Sequence, residues 1–369
     1  MTKVIASVTN DLSTDQRVHK VCTTLQAAKY EVLLVGRKLR KSPDIDRPYE
    51  TKRLCLLFNS GFLFYAFYNI RLFFFLLSQR CDIILANDLD TLLACYTAAR
   101  IKGIPVIYDT HEYFCGMPEL TSRPFAKSVW RGIERCIFPK LDKIITVNQS
   151  VADLYKKEYN KELTVIRNYP LTTGQRSFKS KEALGIPPGA RVILYQGAVN
   201  VDRGLEEAVQ AMQWIDNAVL VIVGGGNAFQ SVEKLVAAQE HSDRIMLQGR
   251  LPFTELTHYT VNADIGLAIE KDNNLNYKYS LSNKVFDYIQ SGVPILSSRL
   301  VENERLMTKW GIGAFIDNHE AEHIARQISY MLSDEGQRTI WIENLKKAKQ
   351  AYNWESQQAE MLAIYEMAL

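Results

Sequence analysis

The chain has no Cys-x-x-Cys pair, no Gly-x-Gly-x-x-Gly after its first apolar run, no internal repeat and no low-complexity tract. Each absence removes a class of protein. Its six cysteines (Cys22, Cys55, Cys81, Cys95, Cys115 and Cys136) all fall in the first half, mostly within apolar segments. They read as buried thiols of a reducing compartment, neither zinc ligands nor a disulfide framework. Without the glycine fingerprint a dinucleotide-dependent dehydrogenase loses its support. No pair of acidic residues has metal-ligand spacing, so neither a metal nor another cofactor is expected. Met1-Thr-Lys runs directly into the strand-like VIASV, which is no signal peptide, and the expected location is the cytoplasm.

What is present is globular. The chain has 369 residues, 47% hydrophobic and 23% charged, which suits two α/β domains of similar size and leaves no room for disorder. The net charge of +3 hides an asymmetry, about +8 through Pro170 and −5 after it. A basic first half suggests an anionic partner there, such as a membrane surface, a lipid phosphate or nucleic acid; ordinary surface variation explains it about as well.

Short apolar runs alternate with amphipathic segments, the pattern of βαβ units in parallel sheets. The first half offers strands at Val4–Val8, Glu31–Val35, Asp82–Leu85, Pro105–Tyr108, Lys143–Val147 and Leu163–Ile166. The second offers Arg191–Gln196, Ala218–Val223, Ile245–Gln248, Ile265–Ala268, Pro294–Ser297 and Ala314–Ile316. Tyr169-Pro-Leu-Thr-Thr-Gly174 reads as a linker. The expected division is 1–170, 171–350, and a terminal helix over 351–369. Leu54–Leu77 departs from the pattern in being dense in Phe and Tyr. As a helix from Phe62 to Leu77 it is about 24 Å long, shorter than a roughly 30 Å bilayer core. It is expected to pack in the domain, or else to dip into a membrane interface beside the basic stretch Arg123–Lys143 with Trp130, Arg131, Arg135 and Phe138.

Parallel doubly wound sheets bind ligands beyond the carboxyl ends of their strands, which directs attention to five loops. Thr9–Lys20 carries Asp15 and Arg17 ahead of a helix, where Ser13 and Asp15 suit helix capping as well as an anion site. Asp109-Thr-His111-Glu112 places a histidine among carboxylates at a strand end, suited to proton handling or to sugar hydroxyls. Gln196-Gly197 to Arg203-Gly204 combines close backbone approach with a guanidinium able to grip phosphate. Val223-Gly224-Gly-Gly226 is a weak signal that also serves as a turn. Finally Ser282-Asn283-Lys284-Val-Phe-Asp287 opens a helix on which Lys284 and Asp287 share a face. Either they form an ordinary surface pair, or the helix start and Lys284 hold a diphosphate while Asp287 takes a ribose diol.

At this fifth loop the chain resembles retaining glycosyltransferases of family four. The likeness runs through ITVNQS, VIRNYP, QGAVNVDRGLEEAVQAM, VIVGGG, LQGRLPFTEL, NADIGLAIE, NKVFDYIQSGVPIL and the closing YNWESQQAEMLAIYEMAL. It implies two Rossmann-like domains facing across a cleft, the first for the acceptor and the second for a nucleotide sugar, with the terminal helix returning to the first. By resemblance Arg203 neutralises the donor diphosphate, Asp287 binds ribose, His111 contacts the transferred sugar, and Asn168 matches an inter-domain asparagine. The implied donor set is Gly197, Arg203, Gly224, Arg250, Leu251, Ser282, Asn283, Lys284 and Asp287. His111, Arg203 and Lys284 are the catalytic candidates, and Asp15, Arg17, His111 and Glu112 lie on the acceptor side. The implied partners are a nucleoside-diphosphate sugar and a glycan or lipid-linked acceptor at an anionic membrane face, with no nucleic acid. Two departures bear on the sugar: Tyr279 stands where the family often has a glutamate, and Ala198 where it has an arginine. Glu270 or Ser282 is then expected to read the hexose. The rival readings are a nucleotide-sugar epimerase and a non-catalytic subunit of a polysaccharide assembly complex.

Overall fold

Runs such as VIAS, VLLV and IILA can be apolar on both sides only if both faces of their sheet are covered, and that requires parallel strands joined by helices. The structure, a computed structural model describing residues 1–13, 15–117, 120, 123–172 and 177–369, has this form twice. One compact unit comprises Met1–Asn168, Asn274–Asn276 and Gln357–Leu369; the other comprises Tyr169–Asn273 and Tyr277–Ser356.

In the first unit seven parallel strands are ordered β3-β2-β1-β4-β5-β6-β7. They are β1 (Lys3–Ser7), β2 (Glu31–Lys38), β3 (Glu50–Cys55), β4 (Ile83–Asn87), β5 (Val106–Thr110), β6 (Lys143–Thr146) and β7 (Thr164–Val165). Helices α1 (Gln16–Ala27), α2 (Gly61–Ser78), α3 (Leu89–Lys102), α4 (Pro124–Ile137) and α5 (Gln149–Tyr159) connect them. Strand order reverses between β1 and β4, where Ile5 faces Ile84 on one side and Leu33 on the other. β3 is an additional strand. Its sequence ETKRLC is too polar to announce itself, because an edge strand is covered on one side only.

Helix α2 packs along one stripe and stays open along another. Phe64, Tyr68, Leu72 and Leu76, four apart, are buried, while Phe62, Leu63, Ile70 and Phe74 are more than half exposed. Among the described residues it is the one helix long and apolar enough to cross a bilayer, yet its inner stripe belongs to the domain core. Two expectations about α4 need correction. Trp130 sits in edge-on contact with Tyr65 and Phe114, and Phe138, past the helix end, stacks on Tyr155, so both are core residues. The aromatic ring exposed on α4 is Phe125, at the helix start. The thiols also divide: Cys22, Cys95 and Cys115 are buried, but Cys55 and Cys136 are exposed.

In the second unit six parallel strands are ordered β10-β9-β8-β11-β12-β13. They are β8 (Arg191–Gln196), β9 (Ala218–Val223), β10 (Ile245–Leu247), β11 (Ile265–Ala268), β12 (Ile295–Ser298) and β13 (Gly313–Ile316). Between them run α6 (Leu205–Ala211), α7 (Phe229–Ala237), α8 (Phe253–Val261), α9 (Leu275–Tyr279), α10 (Asn283–Ser291) and α11 (Val301–Trp310). Helices α12 (Ala321–Ser333), α13 (Glu335–Ala351) and α14 (Glu355–Glu366) close the chain. The order reverses between β8 and β11, so the ends of those two strands flank the crevice in which such sheets bind ligands.

Candidate active site

At that reversal a single carboxylate holds two cations. Glu270 follows β11, and its Oε1 accepts from Lys284 Nζ at 2.7 Å and from Arg203 Nη1 at 3.1 Å. Lys284 comes from the first turn of α10, Arg203 from the loop after β8. The Lys284 ammonium also lies 3.9 Å from the centre of the Tyr195 ring, and the Arg203 guanidinium 4.3 Å from that of Tyr277. Two positive charges against one negative leave the cluster a net cation. Burial pulls Lys284 down to about 8, with Arg203 reinforcing and Glu270 opposing. Burial disfavours the Glu270 anion too, but Lys284 and Arg203 outweigh it and keep its pKa below the usual carboxylate range. Arg203 Nε and Glu270 Oε2 are buried without a hydrogen-bond partner among the described residues, a capacity a polar ligand would use.

Glycines make the floor of this crevice. A Cβ on Gly224 would fall 1.8 Å from the Gly197 carbonyl oxygen, and Gly224 has φ of 155°, so the loops after β8 and β9 touch backbone to backbone. A Cβ on Gly197 would lie 3.7 Å from Lys284 Cε, placing the exposed Gly197 directly over the lysine stem. Ser282 caps α10 without a side-chain hydrogen bond to it, and Asn283 is exposed beside it. Asp287, one turn further, is anchored: Gln196 Nε2 donates to its Oδ2 at 2.8 Å, and Thr260 Oγ1 donates to Gln196 Oε1 at 2.7 Å. Asp287 also lines a cavity of about 290 Å³ together with Phe178, Phe253 and Thr257. Of the other expected donor residues, Arg250 is exposed with its side chain against Gly225, and the partly buried Leu251 packs on the domain core.

Sequence comparison decides the family. The model for Glycosyltransferase Family 4 matches residues 15–169, and that for Glycosyl transferases group 1 matches 177–348. The chain belongs to glycosyltransferase family four. It is 23% identical over 193 residues to the D-inositol 3-phosphate glycosyltransferase of Xylanimonas cellulosilytica, covering 51% of this chain and 45% of that protein. The chain spans about half the length of the curated relatives it matches. Among solved structures, sucrose-phosphate synthase from Thermosynechococcus elongatus superposes with a TM-score of 0.80 at 17% identity, over 100% of this chain and 99% of that one. Anabaena HepE in complex with UDP and glucose gives 0.77 at 12% identity, with both chains fully covered. These likenesses establish the GT-B fold, two Rossmann-like domains in one chain.

The first unit of this family-four chain has its own cluster at the β1–β4 reversal. His111, after β5, has Nδ1 3.1 Å from Asp88 Oδ2 and Nε2 3.6 Å from Asp109 Oδ2, and its backbone N–H donates to Asp88 Oδ1 at 2.8 Å. Partial burial favours the neutral ring, but Asp88 and Asp109 outweigh it and hold the His111 pKa well above its ordinary value. Neighbouring Asp90 responds oppositely. Burial, reinforced by Asp88, pushes its carboxyl up to about 7 although Thr9 Oγ1 donates to it at 2.6 Å. Asp88 itself has φ of 59° and ψ of 166°, a conformation otherwise kept for glycine. Neither Asp88 nor Asp90 was among the expected site residues, although both stand at a strand end.

Of the residues assigned to the acceptor side, Arg17 is committed to the fold and Asp15 caps a helix. Arg17 is 4% exposed and spends its guanidinium on Asp109, at 3.0 and 2.8 Å, and on the Ile166 carbonyl at 2.7 Å. Asp15 caps α1 by accepting from Val18 N–H at 3.0 Å and also accepts from Asn10. Glu112 accepts from Asn276 Nδ2 at 2.7 Å, and Asn168 Oδ1 is buried without a partner among the described residues.

Because its two carboxylate neighbours favour the charged ring, His111 is expected to remain an imidazolium at neutral pH. A pH titration of ring-labelled histidine by NMR checks this; Asp88→Asn should bring the transition back toward about 6.5. The sign follows from the raised pKa. The His111 contribution to stability is complete below about pH 6.5 and fades as pH rises through the folded-state value.

Proposed function

We propose that the chain transfers a sugar from a nucleoside-diphosphate sugar to an acceptor hydroxyl, with retention at the anomeric carbon. The observation that carries this is the pair Arg203 and Lys284 sharing Glu270 at the sheet reversal. A departing diphosphate gains negative charge as the glycosidic bond breaks, and pre-positioned cations stabilise that charge without reorganising. In this reading the α10 start, with Ser282 and Asn283, adds backbone donors to the phosphates. Gly197 lets them approach closely. Asp287, fixed by Gln196, accepts the ribose hydroxyls, and the adjoining cavity with Phe178 and Phe253 takes the base. Glu270 Oε1 is the counter-ion of the phosphate-binding cations, which leaves only its Oε2 to read the hexose. His111, held charged, donates to a sugar or acceptor oxygen and is no general base. The crystallised HepE with UDP and glucose supports a uridine nucleotide as the first donor to try.

The test is a thermal-shift panel of UDP, GDP, ADP and CMP with their sugar conjugates. One family is expected to raise the melting temperature by several degrees at 100 times its dissociation constant, equivalent to about 2.7 kcal/mol. Asp287→Ala should abolish the shift. If no nucleotide acts at millimolar concentration, the donor reading fails and a non-catalytic role takes its place.

A further inference from the structure

The first unit contains a second recess that glycosyl transfer leaves unexplained, a groove of about 890 Å³ bounded by α2, α3, α4 and, among the described residues before α4, Phe114, Met117, Leu120 and Arg123. Its size is that of a small-molecule pocket. Its walls are hydrocarbon: Phe62, Ile70 and Phe74 of α2, Leu93 of α3, and Trp130 of α4. Three of these are large side chains standing more than half in solvent, Phe62 at 63%, Phe74 at 64% and Ile70 at 53%. Such an apolar patch on a protein surface calls for an occupant.

The polar atoms of the lining show what that occupant is. Asn69 gives its amide to the Tyr65 and Asp90 carbonyls at 3.0 and 2.8 Å, and its oxygen accepts from Ala94 N–H at 3.2 Å. Thr97 Oγ1 donates to the Leu93 carbonyl at 2.7 Å. These groups are already spent on the backbones of α2 and α3. A peptide laid in the groove would lose hydration of its backbone amides and find few partners, a cost a hydrocarbon does not incur. Among the described lining residues one side chain is charged: Arg123, exposed at the start of α4 and in no ion pair among those residues. An apolar trough with a cation at its rim fits an alkyl or prenyl chain ending in phosphate.

The groove also adjoins the His111 cluster within the same unit. Asn69 bonds Asp90 as well as lining the groove, α3 begins at the Asp88 that holds His111, and Phe114, three residues beyond His111, forms part of the wall. We infer that the groove between α2, α3 and α4 binds the hydrocarbon chain of an anionic amphiphilic acceptor, with Arg123 at its phosphate and the sugar-accepting end beside His111. The word acceptor rests on the glycosyl-transfer reading; chain binding does not.

Isothermal titration of the full-length protein, without donor, tests it with dodecyl phosphate below its micelle concentration against chainless methyl phosphate. Dodecyl phosphate should bind at least about 100-fold more tightly, because each buried methylene contributes. Ala66→Trp and Thr97→Trp, which fill the groove from opposite walls, should each weaken it by about tenfold or more. Arg123→Glu should weaken dodecyl phosphate but not dodecanol. Retention of the nucleotide-induced melting shift in these variants shows that they fold. Equal binding of the two phosphates, or unchanged affinity in both filled variants, overturns the inference. So does binding to anionic vesicles with none to the single chain, which would make this a membrane-contact face. Chain binding with no nucleotide response leaves this inference standing and defeats the glycosyl-transfer reading alone.

Discussion

Arg203→Ala is expected to lower the rate of sugar transfer about 100- to 1,000-fold, the usual loss when one pre-organised charge is removed from beside a developing anion. The size of the effect follows from the arithmetic of the cluster. With Arg203 present, Glu270 neutralises one of two cations and a positive charge remains for the diphosphate. Without Arg203 the remaining Lys284–Glu270 pair cancels, and binding of the free nucleotide should fall as well. The pH profile provides a second, independent reading. Lys284 is pulled down to about 8, so kcat/KM of the wild type should decline as pH rises through that region and the ammonium is lost. Arg203 is one of the groups pulling it down, so the alkaline limb of Arg203→Ala should move to higher pH. Lys284→Arg, if it folds, should remove the limb altogether. Near-normal turnover in Arg203→Ala would defeat the assignment of the cluster to the diphosphate.

The second large effect is on stability. Arg17→Leu should cost about 3–5 kcal/mol, since it removes one partner of a buried ion pair and strands the other. Asp109 is 2% exposed and would keep only the longer contact to His111. The acid side should move too. In the wild type, burial works against the Asp109 anion, but Arg17 and then His111 hold its pKa far below the usual range. Its contribution is therefore complete above about pH 4 and is lost only as pH falls toward that low value. Losing Arg17 raises the Asp109 pKa and brings acid unfolding to higher pH. Urea unfolding at neutral pH and at pH 4.5 measures both; a loss below about 1 kcal/mol at neutral pH would show that the clamp carries little.

Nine interior strands were legible because a parallel strand covered on both faces must be apolar, and the edge strands β7, β10 and β13 still carry short apolar runs. β3 was not, since ETKRLC is mostly polar and buries only Leu54. The site was legible at the level of loops and less so at the level of side chains. Glycine, arginine and lysine at strand ends flagged the crevice, yet the role of Glu270 depends on partners 67 and 14 positions away. Likewise nothing local distinguishes an arginine that meets a ligand from one, like Arg17, that meets an aspartate 92 positions later. Asp88 and Asp90 satisfy the same strand-end rule, but Asn-Asp-Leu-Asp reads equally as the capped start of a helix.

The backbone of Asp88 points to a compromise. Glycine would relieve the torsional cost of its φ of 59°, about 1–3 kcal/mol, at the expense of the ion pair that stabilises the charged His111. The same exchange would delete both contacts that hold His111, one through its ring and one through its amide. The strained torsion thus carries a carboxylate that glycine could not supply. If His111 serves transfer as proposed, Asp88→Gly should lower activity, and its melting temperature would show how far the relaxed backbone offsets the lost ion pair.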